Sequence, residues 1–262
     1  MSFEHLLVED DDGIRTITLN RPEKFNSWNA FMRAEMAEAF ASAATAPGLR
    51  ALIITGAGRA FSAGEDVSEM QDLADIGTRG FRAVARGIHS VFDQIEALEI
   101  PVIAAVNGVA AGGGFELALS CDFRVLDDGA RFVMPEVKVG LIPGSGGCSR
   151  LVRHVGLGRA KELVMLSRTV GAAEALSLGL ATSVAPEGGS VPAARELAGQ
   201  LAAHAPLALG MAKMVLNTCT DVDHETGRRL ERLGQSILKT TFDHQEGARA
   251  FMEKRTPRWE GR

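Results

Sequence analysis

The chain has 262 residues, of which 46% are hydrophobic and 23% charged, with a net charge of −5. That length allows one large domain or two small ones around a well-filled core. The acidic balance, with no basic stripe longer than the one in Glu253–Arg255, excludes nonspecific nucleic-acid binding.

In chain order, strand-like and helix-like segments alternate through the first half. Ile14 to Leu19 is β-branched and predicts a strand. Asn29 to Ala44 predicts a helix with Phe31, Met32, Met36 and Phe40 on one face, stopping at Pro47-Gly48. Arg50 to Thr55 predicts a buried strand running into Gly56. Phe81 to Leu98 predicts a second helix, with Val84, Ile88, Val91, Phe92 and Ile95 as its apolar stripe. Pro101 to Val106 predicts a short buried strand ending at Asn107, too short to cross a membrane. A helix over Gly113–Ser120 and a strand over Phe123 to Leu126 complete this half.

From about Leu151 glycine-punctuated, alanine-rich helices dominate: Arg159 to Leu166, Ala172 to Leu178, Val191 to His204, Pro206 to Thr218, Val222 to Thr240 and Phe242 to Arg255. The fold class is therefore α/β, a layered body followed by a helical C-terminal region. Its Met and Phe stripes read as core packing rather than cofactor contacts.

Several chemistries are excluded by spacing. Cys121, Cys148 and Cys219 are scattered, with no C-x-x-C pair, which indicates a reducing, cytoplasmic compartment and no zinc ribbon. The six histidines never fall at H-x-x-x-H spacing, so no metal site is expected. The opening MSFEHLLVEDDDG lacks the basic-then-apolar order of a secretion signal. ALIIT followed by Gly56-Ala57-Gly58 imitates a dinucleotide-binding turn, but Phe61 occupies its third glycine position and would block close helix packing. Neither Ser145 in PGSGG nor Ser149 in GCSRL completes a nucleophile elbow, and no Walker A lysine follows a glycine loop.

Glu116 in GGGFELALSCDF and Glu136 in FVMPEVKVGLIPGSGG are different in kind. Each carboxyl group sits beside glycine-rich backbone. A carboxyl pair can divide general-base and general-acid work when its environments set the two protonation states apart, and glycines let backbone N–H groups approach a developing oxyanion.

Four segments carry a wider pattern: LNRPEKFNSWN (Leu19 to Asn29), GRAFSAGED (Gly58 to Asp66), PVIAAVNGVAAGGGFELALSCDFRV (Pro101 to Val125) and the segment from Phe132 to Gly147. With the tail EGARAFMEKRTPRWEG (Glu246 to Gly261), they make nearly the whole chain resemble the enoyl-CoA hydratase/isomerase (crotonase) family. The resemblance implies a spiral of ββα repeats with the active site in residues 1–200. It also implies a helical region, 201–262, that builds a homotrimer or a dimer of trimers. It implies acyl-CoA thioester substrates, as in fatty-acid β-oxidation, with no metal and no cofactor beyond the CoA of the substrate.

By the same resemblance the oxyanion hole is made by the N–H groups of Glu65 and Gly113, the latter at a helix N-terminus that favours negative charge. Glu116 activates the water that attacks C3 of a trans-2-enoyl thioester, Glu136 handles the proton at C2, and Gly144 orients the water. Lys24 lies near the CoA nucleotide, Ala63, Asp66 and Val67 on the adenine-binding loop. Phe251 and Lys254 reach the CoA of a neighbouring subunit.

The departures are local. Glu65 replaces a small or apolar residue, leaving its side chain to line the acyl pocket, pair with a base or face solvent. Met134 stands where Gln usually precedes Pro-Glu, and GGCSRL replaces GGTQRL. These changes bear on acyl-group identity rather than on the oxyanion hole. Other acyl-CoA reactions, such as double-bond isomerisation, dehydration of a modified acyl-CoA or hydrolysis, and nonenzymatic binding on the same fold, remain the alternatives to hydration.

Overall fold

The computed structural model describes residues 3–68 and 76–262. Its strands are β1 (Leu6–Asp11), β2 (Ile14–Leu19), β3 (Ala51–Gly56), β4 (Ala60–Ser62), β5 (Val102–Val106), β6 (Val109–Ala111), β7 (Phe123–Asp127), β8 (Arg131–Val133), β9 (Val170–Gly171) and β10 (Ser183–Ala185). They form a six-stranded sheet in the order β1-β2-β3-β5-β7-β10 and a four-stranded sheet in the order β4-β6-β8-β9.

The pairs β3 and β4, β5 and β6, and β7 and β8 each send one strand to the large sheet and the next to the small one. Within each sheet these successive turns pair in parallel. This repetition is the spiral of ββα turns that the resemblance implied. The very short strands of the small sheet had no signal in the sequence, because three residues are too few to establish a period.

The central strands read as continuous apolar runs because both of their faces are covered. Leu52, Ile54, Val102, Ala104 and Leu126 point into the main core. Ile53, Ile103, Ala105 and Val125 point the other way, onto Ala194 and Ala198 of a helix over Ser190–Ala202.

The remaining helices are α1 (Ala30–Thr45), α2 (Gly77–Ala97), α3 (Gly113–Ser120), α4 (Gly147–Met165), α5 (Ala172–Ser177), α6 (the Ser190–Ala202 helix), α7 (Pro206–Cys219), α8 (His224–Leu238) and α9 (Phe242–Glu253). Asn29 caps α1 by accepting the Met32 N–H at 2.9 Å. The expected apolar face of α1 is corrected: Met32, Met36, Ala39, Phe40 and Ala43 are buried, whereas Phe31 is 74% exposed. A residue adjacent to Met32 is rotated by about 100° and leaves the stripe. In α2 only Val91, Phe92 and Ile95 are fully buried, Val84 and Ile88 being half-buried. Helix α4 begins at Gly147, well before the expected Arg159, and breaks at Gly156, whose φ of +72° no helix accommodates.

After α9 the chain turns back. Asp243 accepts the N–H groups of Glu260 and Gly261 at 2.7 and 3.0 Å, and the Trp259 indole donates to the Ala203 carbonyl at 2.7 Å. Among the described residues no helix is long and apolar enough to cross a membrane.

Candidate active site

The site forms where β4, β6 and β8 end. After β6 the chain enters α3 through Gly112, Gly113 and Gly114, and each glycine faces an obstacle that leaves no room for a side chain. A Cβ on Gly113 would stand 2.5 Å from the Trp28 ring, and one on Gly114 would stand 2.2 Å from the Ser62 carbonyl oxygen. The start of α3 is thereby pressed against the segment that follows β4.

That segment holds Glu65. The Trp28 N–H donates to the Gly64 carbonyl and the Asp66 N–H to the Trp28 carbonyl, both at 2.9 Å. This parallel bridge between Trp28 and Glu65 turns the N–H of Glu65 itself to the opposite side of the strand. Gly64, with φ of +87°, lies against α3, where an added Cβ would stand 2.8 Å from the Gly113 nitrogen. Gly113 is the first residue of α3, so its N–H has no acceptor within the helix. The two N–H groups assigned to the oxyanion hole are thus carried by backbones in direct contact.

Glu116 lies one turn into α3 and is 3% exposed. Its Oε1 accepts the N–H groups of Ser145 and Gly147, at 2.7 and 2.8 Å. Burial raises its pKa, while the Gly147 and Ser145 N–H groups and the nearby Arg150 act in the opposite sense. Near-parallel stacking of Phe115 on Phe132, with ring centroids 4.2 Å apart, packs α3 against β8, which leads through Met134 and Pro135 to Glu136.

Glu136 opens a 3-10 turn, Glu136–Val139. Burial, helped by the negative charge of Glu116, pushes its pKa up to about 7 against the lowering effect of its own backbone N–H. Its Oε2 is buried with no hydrogen-bond partner among the described residues. A protonated carboxyl group tolerates such a position better than an ion. Burial raises both carboxyls, and they differ in their partners: Glu116 accepts two N–H donors that favour its anion, whereas Glu136 Oε2 has no partner among the described residues, which favours its acid.

The other expected residues fall at three places. Lys24, Ala63 and Val67 are exposed along one rim, where the Ala63 N–H donates to the Phe25 carbonyl at 2.9 Å, joining the Lys24 and Ala63 segments. Asp66 belongs to the same segment, but its carboxylate is engaged by the Ser68 hydroxyl at 2.7 Å and by Arg21 at 3.3 Å, and these contacts hold it below the usual carboxylate range. Gly144 is exposed and immediately precedes Ser145 in the loop that grips Glu116. Phe251 and Lys254 stand exposed at the end of α9, outside the cluster formed around Glu116 and Glu136.

The Glu65 side chain pairs with Arg33 of α1, with Arg33 Nη1 3.1 Å from Glu65 Oε1. Sequence reasoning also missed Gly112, Ser145, Gly147 and Arg150. The glycine density of PGSGG was their one visible signal.

The family model for enoyl-CoA hydratase/isomerase matches residues 9–262. A crotonyl-CoA hydratase of Syntrophomonas wolfei is 37% identical over 256 residues, covering 97% of each chain. A carnitinyl-CoA dehydratase of Escherichia coli K12 is 42% identical over 270 residues, covering 99% of each. The crystal structure of an enoyl-CoA hydratase from Bacillus anthracis superposes with a TM-score of 0.93 at 36% identity, covering 99% of this chain and all of that one.

Proposed function

The chain belongs to the enoyl-CoA hydratase/isomerase family, and from that premise we propose that Glu116 and Glu136 together add water across the C2=C3 bond of a trans-2-enoyl-CoA. The product is a 3-hydroxyacyl-CoA. The observation that carries this reading is the unequal hydrogen bonding of the two buried carboxyls: Glu116 is held by the Ser145 and Gly147 N–H groups, which favour its anion against burial, whereas Glu136 Oε2 has no partner among the described residues and its pKa is pushed up to about 7.

In the forward direction Glu116 takes a proton from water as the hydroxyl bonds to C3, and Glu136 gives a proton to C2. The electron pair of the double bond passes through an enolate whose charge rests on the thioester oxygen. The Glu65 and Gly113 N–H groups stabilise that charge, and removing one such donor costs ~10²-fold to 10³-fold in turnover. Both carboxyls serve one face of the substrate, so the addition is syn. Atoms and protons balance without an oxidant, a reductant or a metal.

The CoA moiety lies along the rim of Lys24, Ala63 and Val67, with Gly144 orienting the water. Residues 201–262 build a homo-oligomer, a trimer or a pair of trimers. Met214, Leu216, Leu233, Ile237, Phe251 and Met252 are exposed there, more apolar surface than a solitary helical tail normally presents to water. A monomer mass by light scattering would contradict this assembly.

The relative named carnitinyl-CoA dehydratase favours a second reading, in which the same groups run mainly in reverse and remove water from a 3-hydroxyacyl-CoA with a polar acyl group. Assays of water addition to crotonyl-CoA, of water loss from polar 3-hydroxyacyl-CoA thioesters and of 3-enoyl-CoA isomerisation separate these reactions. Inactivity on every straight-chain enoyl-CoA would overturn the leading reading.

A further inference from the structure

We propose that Arg150 is a positioning residue of this site, whose guanidinium ties the Pro143–Gly147 loop to α2 and so fixes the two N–H groups that hold Glu116. Arg150 lies in the first turn of α4 and its side chain is 8% exposed. Its Nη1 donates to the Ser145 carbonyl at 2.8 Å. On the other side, Nε and Nη2 donate to the two oxygens of Glu96, each at 2.8 Å, and Nη2 reaches Asp93 Oδ1 at 3.0 Å. Glu96 and Asp93 belong to α2.

Ser145 is the hinge of the argument. Its carbonyl is held by Arg150, and its N–H donates to Glu116 Oε1 at 2.7 Å. Gly146, the next residue, has φ of +97°, and a Cβ there would stand 1.8 Å from Arg150 Nη1. The loop backbone therefore lies directly against the guanidinium, and Gly147 follows it to give the second N–H to Glu116. A planar fork that meets two carboxylate oxygens and a carbonyl at once is a task for arginine; a lysine ammonium offers the charge without the fork.

The same cation acts on Glu116 through space. The charged or titratable groups facing Glu116 are Glu136 from the 3-10 turn, Arg150 and Cys148 from α4 and His89 from α2. Of these, Arg150 is the permanent positive charge, and it favours the ionised Glu116 that water activation requires. The negative charges of Glu96 and Asp93 keep the buried guanidinium paired.

The inference rests on the hydratase reading, and its test separates the two. Turnover and KM for crotonyl-CoA are measured across pH in the full-length wild type, R150K, R150M and E96Q. The Glu116 carboxyl is also titrated by carbon-13 NMR, which needs no activity. R150K is expected to lose ~10-fold to 100-fold in kcat, the scale of a misplaced catalytic group, with KM little changed. R150M is expected to lose more and to move both the acid limb of the rate profile and the Glu116 titration to higher pH. E96Q should move kcat in the same direction as R150K.

Folded R150K and E96Q with wild-type kcat overturn the proposal, and they decide it if R150M does not fold. A wild type inactive on every enoyl-CoA defeats the hydratase reading instead. In that case an unmoved Glu116 titration in R150M, or in E96Q if R150M is unfolded, still overturns the positioning role.

Discussion

Glu136 lies so close to Gly112 that a Cβ added to the glycine would stand 2.9 Å from the Glu136 Oε1 atom. Gly112 has φ of +50° and ψ of −122° and immediately precedes Gly113, so the backbone that presents the proposed oxyanion donor also lies against the second carboxyl. Replacing Gly112 by Ala should strain the backbone by about 1–3 kcal/mol and displace both groups. The expected result is a folded protein with a lower melting temperature and kcat for crotonyl-CoA reduced by ~10²-fold or more. Near-normal turnover would show that the glycine does not set the site.

The pH dependence follows from the pair rather than from either residue. Hydration starts with Glu116 ionised and Glu136 protonated, and dehydration starts with the reverse, so both need the pair to carry one proton. That proton is lost as pH rises through the Glu136 value of about 7. The values of kcat/KM for crotonyl-CoA hydration and for 3-hydroxybutyryl-CoA dehydration should therefore decline along the same alkaline limb near neutrality. A hydration rate that stays flat well above pH 7 would contradict the acid role of Glu136.

Stability carries the same signature with a definite sign. Glu136 is raised from 4.5 to about 7 on folding, so the folded chain keeps a proton that the unfolded chain has already lost. Its contribution is fully present below pH 4.5 and is lost as pH rises through about 7. E136Q, which cannot ionise, should gain melting temperature relative to the wild type over that window and hold the gain at higher pH. Calorimetric scans of the two proteins that stay parallel across the window would refute the raised value.

Glu65 supplies an N–H to the proposed oxyanion hole while its carboxylate pairs with Arg33. A carboxylate there opposes the charge that the N–H stabilises, and the Arg33 guanidinium beside it offsets that opposition. R33M should lower kcat by ~10-fold with little effect on KM, and the double variant E65Q/R33M should recover most of the loss. A double variant as slow as R33M would show that Arg33 acts through packing alone.

The parts of the fold legible in the sequence are those with a local cause. The runs in β3 and β5 are apolar because both sheet faces are covered, and α3 opens on glycines because Trp28, Ser62 and Glu136 press against it. Glu116, Glu136, Glu65 and Gly113 stood out because each is embedded in such a motif. Phe31 was misplaced because adjacent helical residues face different directions, and its exposure depends on what α1 packs against. The Arg150 and Arg33 pairings were not legible, since their partners are chosen by the approach of helices distant in sequence. Nor could pattern distinguish a carboxyl gripped by loop N–H groups from one with an unpartnered oxygen beside Gly112.

The most direct test is the rate at which the wild type, E116Q and E136Q consume the ultraviolet absorbance of crotonyl-CoA, with binding of CoA followed in parallel. Each substitution should reduce turnover by ~10²-fold to 10⁴-fold, the scale of one general acid or base, and leave CoA affinity nearly intact. Either variant turning over at the wild-type rate would contradict the division of work between Glu116 and Glu136.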